Sequence, residues 1–423
     1  MKNNPPTSRQ TALTCLMRWH EGRSFAETLV DRECSRAALS TADRHLVQAL
    51  VFGVLRNQTW LDHVIDSLRK GRLDLEMRLI LQLGLCQLFL LGMADHAAVY
   101  ETVNLAPARL RGLVNAILRN ALRREKAILE EREKLPLPVL YSTPAWLVQR
   151  WTQQMEPQTV RALLHWNNTT PRLYVRANPL VPVNGMPASL APLDRAPGWF
   201  SVDGALPLEE IKAGSLYVAD PSTRYAIDLL APRPGEEILD ACAAPGGKSF
   251  AMAMCMEGKG HILSCDVEEH KLRLMEAGAE RLGIECMEVR LADGRVCDEA
   301  LAEKADVVVC DVPCSGLGII RKKPDIRYKD MASLAGLPAI QSTILDNASR
   351  YVRRGGTLVY STCTVLPEEN ERVTDAFLRA HPDFTYDAFA LPGPIGTVEG
   401  HITLWPQRHG TDGFYICRMT RKE

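Results

Sequence analysis

The sequence predicts a multidomain chain: an all-α domain over 1–130, a small α/β linker domain over 131–215, and a doubly wound α/β domain over 216–423. Three observations carry this. Apolar residues recur at steps of three and four from about Ser8 to Leu129, the signature of amphipathic helices. Glu130 to Pro138 is charged and then punctuated by proline, and further prolines crowd the stretch from Pro171 to Pro207. From Leu216 onward strand-like and helix-like runs alternate, which means a mostly parallel sheet with helices on both faces.

The 423 residues, 46% hydrophobic and 24% charged, describe a globular chain long enough to bury a core in each domain. The net charge of -1 conceals an asymmetry. Residues 1–150 carry 21 Lys and Arg against 15 Asp and Glu, so the amino-terminal third is the better nucleic-acid footprint. The opening MKNNPPTSRQ is polar, and no secretory leader is expected. Leu79 to Met93 is too short to cross a bilayer and contains Gln82 and Gln87, so it is expected to be a core helix. Twelve scattered cysteines without a C-x-x-C pair point to reduced thiols in the cytoplasm and to no metal site.

In the helical domain, Ser40 to Asp43 is a helix start ahead of Leu46, Leu50 and Val51. Periodicity alone leaves a packing or dimerisation bundle and an RNA-binding bundle open. Arg44, Arg56, Arg119, Arg123 and Arg124 fit either a solvated face or a phosphate-binding one. In the middle segment Pro144 opens a helix, and Arg172 to Arg176 reads as a strand. In the last domain the strands are EEILD, HILSCD, CMEVR, DVVVC and GGTLVYST, with helices through Phe250 to Met256 and Leu272 to Leu282.

The chemistry is expected at the ends of those strands. Asp311 and Cys314 follow the β-branched run Val307 to Val309, at the edge where open α/β sheets meet their ligands. Beyond Gly316 and Gly318, the basic cluster Arg321, Lys322, Lys323 and Arg327 is suited to phosphates, and RNA binding is expected there. Asp240 to Ser249 follows the first strand and opens a helix, so its glycines let the backbone approach a ligand; its spacing fits neither the dinucleotide fingerprint nor the phosphate loop. Asp266 ends the second strand, where a carboxylate can accept from ribose hydroxyls, and Asp293 follows the third. Either alone is an ordinary turn aspartate; their order after successive strands favours a site. Cys363 ends the GGTLVYST strand, and Thr364 to Asn370 is expected to start a helix whose amino terminus would stabilise a thiolate. Cys255, Cys286 and Cys417 are read as inert buried thiols.

Several of these strings carry a resemblance. LSTADRHLVQALVFGVLRNQTWLDHVI, RLILQLGLCQLFLLGMADHAAVYETVNLA and GLVNAILRNALRR resemble the NusB-like RNA-binding fold found fused to bacterial ribosomal RNA methyltransferases. The string Asp240-Ala241-Cys242-Ala243-Ala244-Pro245-Gly246-Gly247-Lys248-Ser249 is similar to the S-adenosylmethionine loop of RNA cytosine-5 methyltransferases, and LWPQRHGTDGFYICRM to their closing hairpin-like strands. With Pro-Cys at Cys314 and Thr-Cys at Cys363, the chain resembles the Fmu/Sun branch of the NOL/NOP/Sun RNA methyltransferase family. Val218-Ala219-Asp220 departs from it, since many relatives have Gln before the acid.

The resemblance implies a Rossmann-like class I methyltransferase domain behind a NusB-like domain. It implies S-adenosylmethionine as cofactor, held by Cys242, Ala243, Ala244, Pro245, Gly246, Gly247, Lys248, Asp266, Asp293 and Asp311. It also implies Cys363 as nucleophile, Cys314 as the thiol that assists product release, and Asp311 as the group that orients cytosine. Chemistry agrees: carbon 5 of a pyrimidine is too weakly nucleophilic to take a methyl group until a thiolate adds at carbon 6. The expected partner is small-subunit ribosomal RNA, unassembled or partly assembled, with no membrane and a monomeric enzyme. A transfer RNA methyltransferase of the same chemistry and a non-catalytic RNA-binding assembly factor remain the alternatives.

Overall fold

Residues 6–423, apart from 23, 183–184, 195 and 393–394, are described by a computed structural model; the first five residues of the polar opening lie outside it. Two compact units result: residues 1–170 with 320–329, and residues 171–319 with 330–423.

The first unit is helical: α1 (Ser8–His20), α2 (Ala26–Arg36), α3 (Thr41–Leu68), α4 (Leu75–Phe89), α5 (Asp95–Leu105), α6 (Arg111–Arg123), α7 (Glu125–Arg132), α8 (Leu137–Leu140), α9 (Ala145–Gln154) and α10 (Pro157–Asn168). Ser40 caps α3 as expected, its Oγ accepting from the Asp43 amide at 3.2 Å. The apolar run around Leu79 is a core helix, α4, buried from Leu79 through Leu88. Gln87 is tolerated inside it because its amide donates to the Leu83 carbonyl and to Thr102 Oγ1, at 3.1 and 3.0 Å. Among the described residues no helix is long and apolar enough to cross a membrane.

The unit does not stop at 130. α8 to α10 pack with it, burying Leu147, Trp151, Leu163 and Leu164, so the first half of the expected linker domain belongs here. One cause is a break in α3 at Asn57 (φ -128, ψ 16), which removes local helical hydrogen bonding. The amide of Trp60 there donates to Ser142 Oγ at 3.1 Å instead.

Carbonyls near the same break receive the segment 320–329. Tyr328 Oη donates to Leu55 O at 2.7 Å, and Arg327 Nη1 donates to Arg56 O at 3.3 Å. Arg327 is fully buried, and its guanidinium also donates to the carbonyls of Tyr141, Ser142 and Asn167 and to Asn168 Oδ1. Asp325 accepts from the Ala26 amide at 3.0 Å, at the start of α2. Arg321 lies 4.3 Å from the Trp166 ring and donates to Thr170 O, and Lys323 pairs with Glu27 at 3.1 Å. The expected phosphate-binding role of this cluster is therefore corrected for Arg327: a guanidinium without exposed surface, its Nη1 and Nη2 donors engaged by protein acceptors and its Nε buried, offers none to RNA. Arg56, which by sequence fitted either a solvated face or a phosphate-binding one, is likewise buried and donates to Arg321 O at 3.0 Å.

The second unit begins with β1 (Tyr174–Ala177), β2 (Leu190–Pro192), β3 (Trp199–Val202), α11 (Leu208–Lys212) and β4 (Leu216–Val218), an antiparallel sheet in the order β2-β3-β1-β4. Then follow α12 (Ser222–Leu230), β5 (Glu237–Asp240), α13 (Gly247–Cys255), β6 (His261–Asp266), α14 (Glu269–Arg281), β7 (Met287–Leu291), β8 (Ala305–Asp311), α15 (Leu337–Ser349), β9 (Val352–Thr362), α16 (Glu371–Ala380), β10 (Phe384–Tyr386), β11 (Phe389–Leu391), β12 (Gly396–Val398), β13 (His401–Leu404), α17 (Pro406–His409) and β14 (Phe414–Arg421).

The main sheet runs β10-β14-β9-β8-β5-β6-β7, parallel from β9 to β7, with β14 antiparallel between β10 and β9 and also paired with β13. Both faces are covered. Val307 and Val309 enter one core cluster with Phe250 and Ile227, while Val308 and Cys310 enter the other with Ile344 and Phe377. Strand order reverses between β5 and β8, and such a switch point opens a crevice at the carboxyl ends of the strands.

Candidate functional site

Every sequence-expected acid and thiol of the second unit stands at the carboxyl end of a strand or just beyond it. After β5 the chain runs through Cys242, Ala243, Ala244 and Pro245 to Gly246, whose φ of +98° is left-handed. A Cβ there would also stand 2.6 Å from the Phe250 ring, so the turn requires glycine twice over. Gly247, the first residue of α13, has open space where a Cβ would stand. The loop is tied to the neighbouring strand: the Ala243 amide donates to Cys265 O at 2.8 Å and the Ala244 amide to Asp266 Oδ2 at 3.1 Å. Beneath it Asp240 is fully buried and accepts from Ser249 Oγ at 2.8 Å; burial pushes its carboxyl up to about 6.

Asp266 ends β6 and accepts from the Glu268 amide with its other oxygen, at 3.1 Å. Asp293, beyond β7, receives three donors from Arg295, two of them from its guanidinium, and these hydrogen bonds hold its carboxyl below the usual range. Both carboxylates keep acceptor capacity and exposed surface.

Asp311 lies opposite Ser361 in the parallel pairing of β8 with β9, and Ser361 Oγ donates to its Oδ1 at 2.8 Å. Its Oδ2 accepts from Lys248 Nζ at 2.5 Å. Burial opposes the Lys248 charge, but Asp311, then Asp240, outweigh it and keep the ammonium above its ordinary value. Lys248 Nζ also lies 5.1 Å from the Phe414 ring.

The two expected thiols come together: Cys314 Sγ and Cys363 Sγ are 3.1 Å apart, both partly exposed. Gly318 makes this approach possible. Its amide donates to Cys363 O and its carbonyl accepts from the Gly413 amide, at 2.9 and 2.8 Å. A Cβ on Gly318 would stand 2.0 Å from Gly413 O, so nothing larger fits. The hydrogen bond to Cys363, then burial, then the charges of Cys363, Glu369 and Asp311 push the Cys314 thiol well up.

One expectation about Cys363 is corrected. No helix starts at Thr364; α16 begins at Glu371, and a turn of hydrogen-bonded side chains separates it from the thiol. The cation on this side is Lys248, and a Cys363 charge is among the causes that keep its ammonium above its ordinary value. Sequence reasoning also missed Ser361, Gln341 and Gly413. Ser361 was reachable, since it precedes the Thr-Cys pair; Gln341 lies on α15, far from any motif, and had no signal. Among the described residues no group of three or more His, Cys, Asp or Glu is placed to hold a metal ion.

Comparison with known proteins fits this geometry. Residues 227–420 match the family model described as 16S rRNA methyltransferase RsmB/F, and residues 6–123 match the NusB family. The chain is 31% identical to the Bacillus subtilis (strain 168) protein named Probable ribosomal RNA small subunit methyltransferase B, covering 98% of each. It is 33% identical to the Citrobacter koseri protein named Ribosomal RNA small subunit methyltransferase B, over 91% of this chain and 92% of that one. Among solved structures, the crystal structure of PH0851 superposes with a TM-score of 0.76 at 23% identity, covering 100% of both chains, which shows the shared fold.

Proposed function

Since the chain belongs to the family of ribosomal RNA small subunit methyltransferase B, an S-adenosylmethionine-dependent methyltransferase family, we propose that it methylates carbon 5 of a cytosine in 16S ribosomal RNA through a covalent Cys363 adduct. The observation that carries this reading is the meeting of Cys363, Cys314 and the Lys248–Asp311 pair at one sheet edge.

The residues present fit the cofactor. Gly247 leaves its backbone approachable at the start of α13, and Asp266 and Asp293 present carboxylates beyond the next two strands. Cys242 to Lys248 would flank it, Asp266 would accept from its ribose hydroxyls and Asp293 would meet its adenine end. When bound, it supplies an electrophilic methyl group.

The protein's own groups do the rest. Cys363 adds as thiolate to carbon 6 of cytosine, which makes carbon 5 nucleophilic. Asp311, anchored by Lys248 and Ser361, orients the ring and offsets charge that develops on it. After methylation a base removes the carbon 5 proton, the carbon 5–carbon 6 double bond re-forms, and the Cys363 sulfur leaves with its electron pair. Cys314 offers its S–H to that departing sulfur. The target base must leave its stack to reach a half-buried thiol, which favours unassembled or partly assembled RNA.

The test is transfer of labelled methyl groups to unmodified 16S ribosomal RNA, with transfer RNA as control. Cys363→Ala loses activity by at least about 10³-fold, and Cys314→Ala accumulates a protein–RNA adduct stable to denaturant. The reverse pattern moves the nucleophile to Cys314; wild-type transfer to transfer RNA alone overturns the substrate.

A further inference from the structure

Two consecutive buried side chains beneath the thiols have no place in that mechanism. Glu369 and Asn370, 2% and 0% exposed, end the turn that follows Cys363. Glu369 Oε2 accepts from the Ser315 amide at 2.8 Å and from Gln341 Nε2 at 2.9 Å. The same Gln341 nitrogen donates to the Pro313 carbonyl at 3.0 Å, so both neighbours of Cys314 are gripped. Asn370 does likewise for the other thiol, accepting from Thr362 Oγ1 at 2.6 Å and donating to Thr364 O at 3.2 Å. A hydrogen bond of 2.7 Å between Ser315 Oγ and Thr364 Oγ1 joins the two turns.

The charges around the sulfurs are unequal. Cys314 faces Cys363 and the acids Glu369 and Asp311, with the Tyr360 hydroxyl also near. On the other side the Lys248 ammonium, bound to Asp311 at 2.5 Å, interacts with Cys363. Among the described residues Glu369 Oε1 is buried without a hydrogen-bond partner. Such a group costs stability. Two sulfurs this close do not both ionise readily, and the surrounding charge decides which one keeps the proton.

We propose that Glu369 and Asn370 are positioning residues: together they hold the two thiol-bearing turns in register, and the Glu369 carboxylate directs the proton shared by the sulfurs onto Cys314, leaving Cys363 as thiolate. This rests on the nucleophile assignment above. It explains how identical side chains 3.1 Å apart take different roles. The pair releases one proton to solvent and the one that remains is shared between the two sulfurs; no oxidant is involved.

Glu369→Gln tests it, because glutamine keeps the size and the acceptor oxygen for Ser315 while removing the charge. Iodoacetamide labelling of the full-length protein at neutral pH, read by peptide mass spectrometry, reports which thiol is ionised. In wild type Cys363 is labelled ahead of Cys314. In Glu369→Gln the ratio shifts toward Cys314 by about tenfold, the equivalent of one unit of relative acidity. Its kcat falls while KM for RNA stays within about twofold. Asn370→Ala lowers kcat with KM similarly held. Wild-type labelling and kcat in Glu369→Gln overturn the role of the charge, and unchanged kcat in Asn370→Ala overturns the register. Cys363→Ala run in parallel separates the two readings: if it still transfers methyl groups, the nucleophile assignment fails, and if it is inactive while Glu369→Gln behaves as wild type, only the positioning proposal fails.

Discussion

Asp311 and Arg327 belong to one continuous stretch of sequence, and both were expected to meet the substrate. Asp311 ends β8 with two donors, Lys248 and Ser361, and with part of its carboxylate still exposed. A carboxylate has about four acceptor positions, so it retains the means to meet a further group. Arg327 has no exposed surface, and protein carbonyls and the Asn168 side chain take the donors of its Nη1 and Nη2. The difference teaches that a charged loop residue marks a site when the fold leaves its hydrogen-bonding capacity open, and marks architecture when the fold fills it.

Arg327→Met tests the filled side of that comparison and has the largest expected effect. It leaves several buried carbonyls unpaired at about 1–3 kcal/mol each, so the unfolding free energy of the full-length protein falls by at least about 3 kcal/mol. Denaturant titration measures this, while the salt dependence of RNA binding keeps its slope. A stable variant whose slope falls by about one would return Arg327 to the phosphate contacts.

Asp311→Asn probes the open side. It keeps the shape but removes the charge that faces Lys248, and kcat for methyl transfer falls by about 10²-fold. Its denaturation midpoint moves far less than that of Arg327→Met. Equal losses of stability in the two variants would erase the contrast.

The smallest effects belong to the rest of the basic cluster. Arg321→Ala gives up, among its interactions, the contact with Trp166 and the bond to Thr170, which together contribute about 1 kcal/mol. Lys323→Ala removes an exposed pair with Glu27, and its stability stays within about 0.5 kcal/mol of wild type. Lys323 is the exposed cation of the four expected positions, so any phosphate contact there appears as a salt slope reduced by at most about one.

Much of this was legible in the residues alone. Period and β-branching marked the helices of the first unit and the parallel strands of the second, because burial of an apolar face imposes its repeat on the chain directly. The positions of Asp266, Asp293, Asp311, Cys314 and Cys363 followed from strand ends, which local pattern reveals. What local pattern cannot contain is who saturates whom. That Arg327 fills acceptors beside the break in α3, that residues 131–170 join the helical unit, and that Gln341 and Glu369 brace the turn of Cys314 all depend on groups far apart in sequence. A buried polar group must find its partner wherever the fold supplies one, so its meaning is decided in tertiary structure. The sequence by itself determined which atoms could do the chemistry; the fold decided which of them remain available for it.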